Sequence, residues 1–214
     1  MKKSVVAALA TMLAAAILLA VPIGASARAN KCTIVGTKGD DVLTGTDGND
    51  VICGGRGNDT INGGQGNDII KGGPGRDTLR GNKGDDRVLG QRGHDFMWGD
   101  GGNDVVKGGR GNDRLRGYTG DDRIGGGGGN DRVRGGGGAD LIRGGGGNDQ
   151  LRGMADDDTI VGAGGDDTIL GHGGADLLDG RDAVNGNDFI GGAAGNDTCG
   201  GDPGDEVKRC EASL

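Results

Sequence analysis

A spacing of nine residues governs almost all of this sequence. The unit begins at Gly36 and recurs without slip at 45, 54, 63 and onward to 171, giving sixteen units in one register. A three-residue insertion, Gly180-Arg181-Asp182, shifts the phase, and further units start at Ala183, Gly192 and Gly201. Each reads G-x-x-G-x-D-x-U-x, with U apolar. Position 4 is Gly except at Asp156, and position 6 is Asp except in the last unit, where the count falls on Glu206. Position 8 is aliphatic or Met97 from Leu43 to Ile190, then breaks at Cys199 and Lys208.

A period of nine excludes most folds. A helix needs apolar residues three or four apart, and each interior Gly costs about 1 kcal/mol against Ala. Collagen requires Gly at every third position, and this chain has three prolines. With 54 glycines and only 2 % aromatic residues, an ordinary close-packed core is not available either. The pattern fits a six-residue turn, with Gly free to take positive φ, followed by a three-residue strand x-U-x. Alternation points position 8 inward and positions 7 and 9 outward. Two units make one coil, so the expected fold is all-β, a parallel β-roll solenoid of glycine/aspartate nonapeptide repeats.

The ends differ from the array. Residues 1–29 have a basic start, an apolar run from Val5 to Ile23 and the small-residue exit Ala25-Ser26-Ala27, which predicts a secretory signal peptide. Thr11 and Pro22 interrupt the run and no stop-transfer pattern follows, so a membrane anchor fits less well, and no membrane span is expected after cleavage. The chain then divides into an N-terminal cap at 30–35, the array at 36–182 with its insertion at 180–182, and final repeats with a C-terminal cap at 183–214. Cys32, Cys53, Cys199 and Cys210 lie near the two ends, and an exported chain meets a compartment where disulfides persist. Cys53 and Cys199 stand about eight coils apart, roughly 38 Å at strand spacing, whereas a disulfide needs Cα atoms within about 7 Å. Local pairs follow: Cys32 with Cys53, and Cys199 with Cys210. Strict register would leave Cys32 about 10 Å along the strand from Cys53, so residues 30–35 are expected to leave register and fold over the first coil. Lys208 at position 8 would mark the end of the apolar column.

Units such as GGRGNDTIN and GGQGNDIIK resemble the RTX, or hemolysin-type, calcium-binding repeat, and the likeness covers nearly all of residues 36–209. An N-terminal secretion signal departs from that family's toxins and proteases, so the chain looks like the small secreted calcium-binding proteins built almost wholly of such repeats. The resemblance implies a calcium ion between turn n and turn n+2, held by two position-6 aspartates and turn carbonyls. One side of the roll would stack Asp41, Asp59, Asp77, Asp95, Asp113, Asp131, Asp149 and Asp167. The other would stack Asp50, Asp68, Asp86, Asp104, Asp122, Asp140, Asp158 and Asp176. Asp188 and Asp197 resume the motif after the insertion, with their columns left open. Asp156 is expected to strain its turn or weaken its site.

Physical chemistry agrees with a cation there. One buried aliphatic side chain in nine residues cannot offset the entropy of ordering nine residues, and stacked carboxylates repel unless a cation sits among them. Calcium takes six to eight hard oxygen ligands, while magnesium demands tighter octahedral geometry and keeps its waters. Metal binding and folding would then be one equilibrium.

Other classes fit less well. The chain holds no G-x-S-x-G and no H-E-x-x-H, and the in-phase carboxylates are committed to metal, so no enzyme activity is expected. His94 and His172 read as isolated surface histidines, and Phe96, Trp98, Tyr118 and Phe189 as outer packing residues too few for an aromatic platform. Thr60, Thr78, Thr159, Thr168 and Thr198 are too scattered for an ice-binding ladder. Outward strand positions carry Lys71, Arg80, Arg87, Lys107, Arg114, Arg116, Arg123, Arg132, Arg134, Arg143 and Arg152, a positive stripe across both faces. Such charges keep a flat sheet soluble. They also support an alternative role, a structural or adhesive cell-envelope module holding an anionic polysaccharide. Nucleic acid is not expected as a partner.

Overall fold

The computed structural model describes residues 31–182 and 187–210, and the backbone of 212–213. The expected signal peptide lies outside these residues, as do Asn30 of the expected cap and residues 183–186 beside the insertion. The chain winds as a parallel solenoid. Short strands β1 (Ile34–Val35), β2 (Val42–Thr44) and β3 (Val51–Cys53) open it. Six-residue strands then recur every nine residues from β4 (Thr60–Gln65) to β16 (Thr168–Gly173). After these come β17 (Leu177–Asp179), β18 (Phe189–Ala194), β19 (Thr198–Gly200), β20 (Glu206–Lys208) and β21 (Ala212–Ser213). Odd-numbered strands form one sheet and even-numbered strands the other, each in sequence order. Partners are 18 residues apart through the array, as in Ile61 beside Leu79, so two units make one coil.

The strands are twice as long as the expected three residues, and the turns correspondingly shorter. In β4 to β16 and in β18, positions 1–3 of a unit continue the strand of the unit before, pairing for example Gly64 with Asn82 and Gln65 with Lys83. Only positions 4–6 turn.

Alternation along this longer strand sends three positions inward: the aspartate at 6, the aliphatic residue at 8 and the glycine at 1. The side chains of the aliphatic column, Ile52 to Ile190, are buried and form one continuous core, with Ile34 and Leu43 packed at its start. Glycine at position 1 is there for space. A Cβ on Gly126 would lie 2.3 Å from Asp131 Oδ2 and 2.7 Å from the Gly144 carbonyl oxygen. At position 4 the requirement is conformational: Gly129 has φ 115°, and Asp156 holds the equivalent place at φ 72°. Asp156 recovers something there, since its Oδ2 accepts the Gly138 N–H at 2.9 Å.

Both expected disulfides are formed, Cys32–Cys53 and Cys199–Cys210, each with Cα atoms 5.9 Å apart. The expected departure from register at 30–35 does not extend to β1, where Ile34 stands beside Ile52 and Val35 beside Cys53. A bend at Thr33, whose N–H donates to Val51 O, brings Cys32 back to Cys53 instead. At the other end the final unit is one residue short. Val207, not Lys208, stands beside Ile190, and Cys199 fills a buried inward place beside Leu178. The apolar column therefore runs on past the point where counting by nine ends it.

Adjacent glycines test this division of the interior. Gly126→Ala should destabilise the roll by about 1–3 kcal/mol, because backbone and a ladder carboxylate must shift. Nothing lies within 4 Å of a Cβ on Gly125, its outward neighbour. Gly125→Ala should therefore be neutral or stabilise by about 0.4–1 kcal/mol. Thermal unfolding of the two variants in calcium measures both, and equal losses would contradict the inward placement of position 1.

Candidate metal centre

Each position-6 aspartate sits at the inner end of its turn, where the chain enters the next strand. Its side chain points into the roll rather than across the outside of the turn, and Asp59 to Asp197 are each at most 2 % exposed. The backbone N–H of one aspartate donates to Oδ1 of the aspartate one coil later, at 2.9 Å from Asp41 to Asp59 and 2.8 Å from Asp95 to Asp113. The chain of bonds continues through Asp149 and Asp167 to Asp188 and Asp205. The second column runs from Asp50 through Asp68 and onward to Asp176 and Asp197. All eighteen aspartates singled out from the sequence thus fall into two columns. Asp188 follows Asp167 and Asp197 follows Asp176, both across 21 residues, so both columns continue past the insertion. In the last unit Asp205, not Glu206, accepts from Asp188.

Only half of each carboxylate is satisfied. From Asp59 to Asp197, Oδ2 of every ladder aspartate is buried without a hydrogen-bond partner. The first two units differ: Thr37 donates to Asp41 Oδ2 from its N–H at 2.6 Å and from Oγ1 at 3.0 Å, and Thr46 serves Asp50 in the same way.

A carboxylate held like this resists ionisation. Burial is the largest cause, and repulsion between aspartates of successive coils adds to it, while the ladder hydrogen bond pulls the other way. The carboxyls of Asp95, Asp104, Asp122, Asp131 and Asp158 are pushed up to about 7. Those of Asp77, Asp86, Asp140, Asp149, Asp167 and Asp188 rise to about 6.

These groups suit a hard cation. The unpartnered oxygens lie against glycine backbone, as Asp131 Oδ2 does beside Gly126 and the Gly144 carbonyl, so the donors on hand are carboxylate and carbonyl oxygens. Among the described residues no three His, Cys, Asp or Glu side chains converge, so backbone carbonyls would have to complete any coordination shell.

A second ladder, at position 5, escapes a consensus that treats that position as free. Here the bonds run the opposite way: the side chain accepts from the N–H of the residue one coil later. Asn67 N–H reaches Asn49 Oδ1 at 2.8 Å, and Asn103 N–H reaches Asp85 Oδ1 at 2.8 Å. His94 is exposed, as expected, and also belongs to this ladder, its Nδ1 accepting from Asn112 N–H at 2.7 Å. The signal was present in the sequence as the recurrence of Asn and Asp at position 5, with Arg76, Ala139 and Ala175 as the interruptions.

A family model described as the RTX calcium-binding nonapeptide repeat (4 copies) matches residues 33–61, 62–97, 98–133, 125–160, 152–183 and 183–205. No curated protein matches the chain.

The raised carboxyls fix the pH dependence of the metal-free roll. Folding raises their pKa from 3.8, so the folded state binds more protons than the unfolded one between about pH 4 and pH 7. The metal-free roll should be most stable below about pH 4 and lose stability as the pH climbs through 6 to 7. Far-UV circular dichroism in chelator should show more strand at acid than at alkaline pH, and saturating calcium should remove that slope. Identical spectra across this range in chelator would contradict the placement of the carboxyls.

Proposed function

The chain belongs to the RTX calcium-binding nonapeptide repeat family, and on that footing we propose that it is a secreted protein whose β-roll folds as calcium binds between stacked coils. The observation that carries this reading is the row of buried, unpartnered Oδ2 atoms from Asp59 to Asp197. A buried carboxylate oxygen without a partner costs free energy, and where no donor reaches it, as from Asp59 to Asp197, a proton or a cation removes that cost. At neutral pH, outside the cell, calcium is the available choice. The ions would be held by the position-6 aspartates, from Asp41 and Asp50 at the start to Asp188 and Asp197 at the end, with glycine carbonyls alongside. What calcium supplies is charge neutralisation within the columns. Asp41 and Asp50 need it least, because Thr37 and Thr46 already occupy their second oxygens.

Two disulfides suit an oxidising compartment and thus an exported chain. Binding, not catalysis, is the role assigned: the in-phase carboxylates are engaged in the ladder, and the histidine at position 5 serves it too. A second reading, a structural or adhesive envelope module that holds an anionic polymer, is favoured by the guanidinium groups outside the roll.

A calcium titration followed by far-UV circular dichroism tests the first reading. Strand should appear cooperatively, with magnesium much less effective. Asp113→Asn keeps an acceptor for the ladder hydrogen bond but loses the charge, so it should lower both calcium stoichiometry and Tm. Asp197→Asn should do less, having fewer coils beyond it. A chain with full strand content at neutral pH in excess chelator would sink the proposal.

A further inference from the structure

By formula the protein is acidic, at −8. Seventeen of its thirty-two acidic residues, however, are buried ladder aspartates, which leaves fifteen against the twenty-one Lys and Arg that follow the expected signal peptide. The exterior is therefore basic, and its charge is unevenly placed. On the odd-numbered sheet the two positions flanking the aliphatic residue carry at most one cation per strand, Lys71, Arg87, Lys107, Arg123 and Arg143, with Arg92 and Arg110 at strand ends. On the even-numbered sheet they come in pairs: Arg114 and Arg116 on β10 (Arg114–Thr119), then Arg132 and Arg134 on β12 (Arg132–Gly137), with Arg152 following on β14 (Gln150–Ala155). The register aligns Arg114 with Arg132, and Arg116 with Arg134 and Arg152. These five guanidinium groups line one depression of about 280 Å³.

None of the five has an acidic partner among the described residues; the ion pairs there are Arg80–Asp100, Arg181–Asp179 and Lys208–Glu206. None of the three strands carries an acid. Neutral groups hold the arginines in place instead. Arg114 lies over the Phe96 ring at 5.1 Å, Arg116 donates to Tyr118 Oη at 3.3 Å, and Arg132 donates to Gln150 Oε1 at 3.3 Å. Like charges stacked at strand spacing repel. A surface needed only for solubility would mix signs, not orient five cations around one groove.

We infer that the groove on β10, β12 and β14 is a binding site for a linear anionic glycan lying along the roll axis, with one carboxylate or sulfate per sugar meeting successive guanidinium groups. This rests on the second reading above and gives it a face and a ligand chemistry. The columns repeat at the strand spacing of about 4.8 Å, and a pyranose chain charged at every residue has a repeat of similar length. Planar guanidinium groups suit carboxylate and sulfate oxygens. Single-stranded nucleic acid fits less well because it needs open ring faces. Phe96 is flanked by Arg76 at 5.0 Å as well as by Arg114, and Trp98 is covered by Arg80 at 5.5 Å. Both rings are half-buried, so neither projects to enter a bilayer.

The test measures binding of the calcium-loaded chain to four probes at about 0.15 M salt: a sulfated oligosaccharide, an oligogalacturonate, single-stranded DNA and anionic lipid vesicles. At least one glycan should bind more tightly than DNA or vesicles, and comparing the two glycans separates sulfate from carboxylate. Arg116→Ala/Arg134→Ala/Arg152→Ala should weaken that binding about tenfold or more. Lys107→Ala/Arg123→Ala/Arg143→Ala on the opposite sheet removes the same charge and should change it less than about twofold. Circular dichroism in calcium checks that both variants fold, and Arg134→Gln, a single neutral replacement expected to weaken binding measurably, serves if the triple variant does not. Equal losses from the two faces would overturn the groove while leaving an envelope-polymer role open. No glycan binding by the parent chain would end both, and DNA or vesicles binding as tightly as the better-bound glycan would overturn the ligand class.

Discussion

The roll depends on a hydrogen bond that most proteins avoid: a backbone N–H donating to a buried carboxylate, repeated once per coil down two columns. Using one oxygen of each aspartate sets the separation and register of successive coils. It leaves the other oxygen buried without a hydrogen-bond partner from Asp59 to Asp197. Glycine at position 1 follows from that bond, because Oδ2 stands where a side chain would begin, as at Gly126 and Asp131. The aliphatic column completes the interior without being able to compensate it. A chain that stacks carboxylates in this way is most stable when protons or cations occupy them.

The position-5 ladder adds direction. At position 6 a coil donates to the side chain of the coil that follows, as Asp41 does to Asp59. At position 5 it accepts from the following coil, as Asp40 Oδ1 does from Asn58. Where position 5 is Asn, Asp or His94, a junction is typically tied by bonds of both senses on either side of one peptide. Coils contact only their neighbours, so stability accumulates along the axis and a defect remains local. Arg76, Ala139 and Ala175 remove the outer tie at three junctions without interrupting the aspartate columns.

Much of this was legible in the sequence because a nine-residue period admits few folds. The parallel roll, two units per coil, the inward aliphatic column and both disulfides follow from spacing alone. Strand length did not, because Gly at positions 1 and 2 reads as turn, whereas in Gly63-Gly64 the chain stays extended enough to pair despite φ 118° at Gly64. The burial of the aspartates was also hidden. Alternation carried back from Ile61 through Thr60 places Asp59 inside, but a charged residue before a strand is ordinarily taken as exposed. Counting failed at the C-terminus, where one missing residue moves the roles of Glu206 and Lys208 to Asp205 and Val207.

The ends show how a one-dimensional stack closes. At the start of the described roll Asp41 and Asp50 carry threonines that satisfy Oδ2 internally. Cys32, where an aspartate would stand one coil before Asp50, instead ties the incoming chain to the outer face of β3 through Cys53. At the far end Cys199 takes the inward place of an aliphatic residue and bonds to Cys210. Both ends of the described roll thus rely on local interactions, a polar bond from threonine or a covalent one from cysteine. The middle of the array, where neither substitute exists, is where the unpartnered oxygens lie and where the carboxyls rise furthest. The energetic demand for a cation is therefore graded along the roll: weakest beside Thr37 and Thr46, strongest in the central coils that both ends enclose.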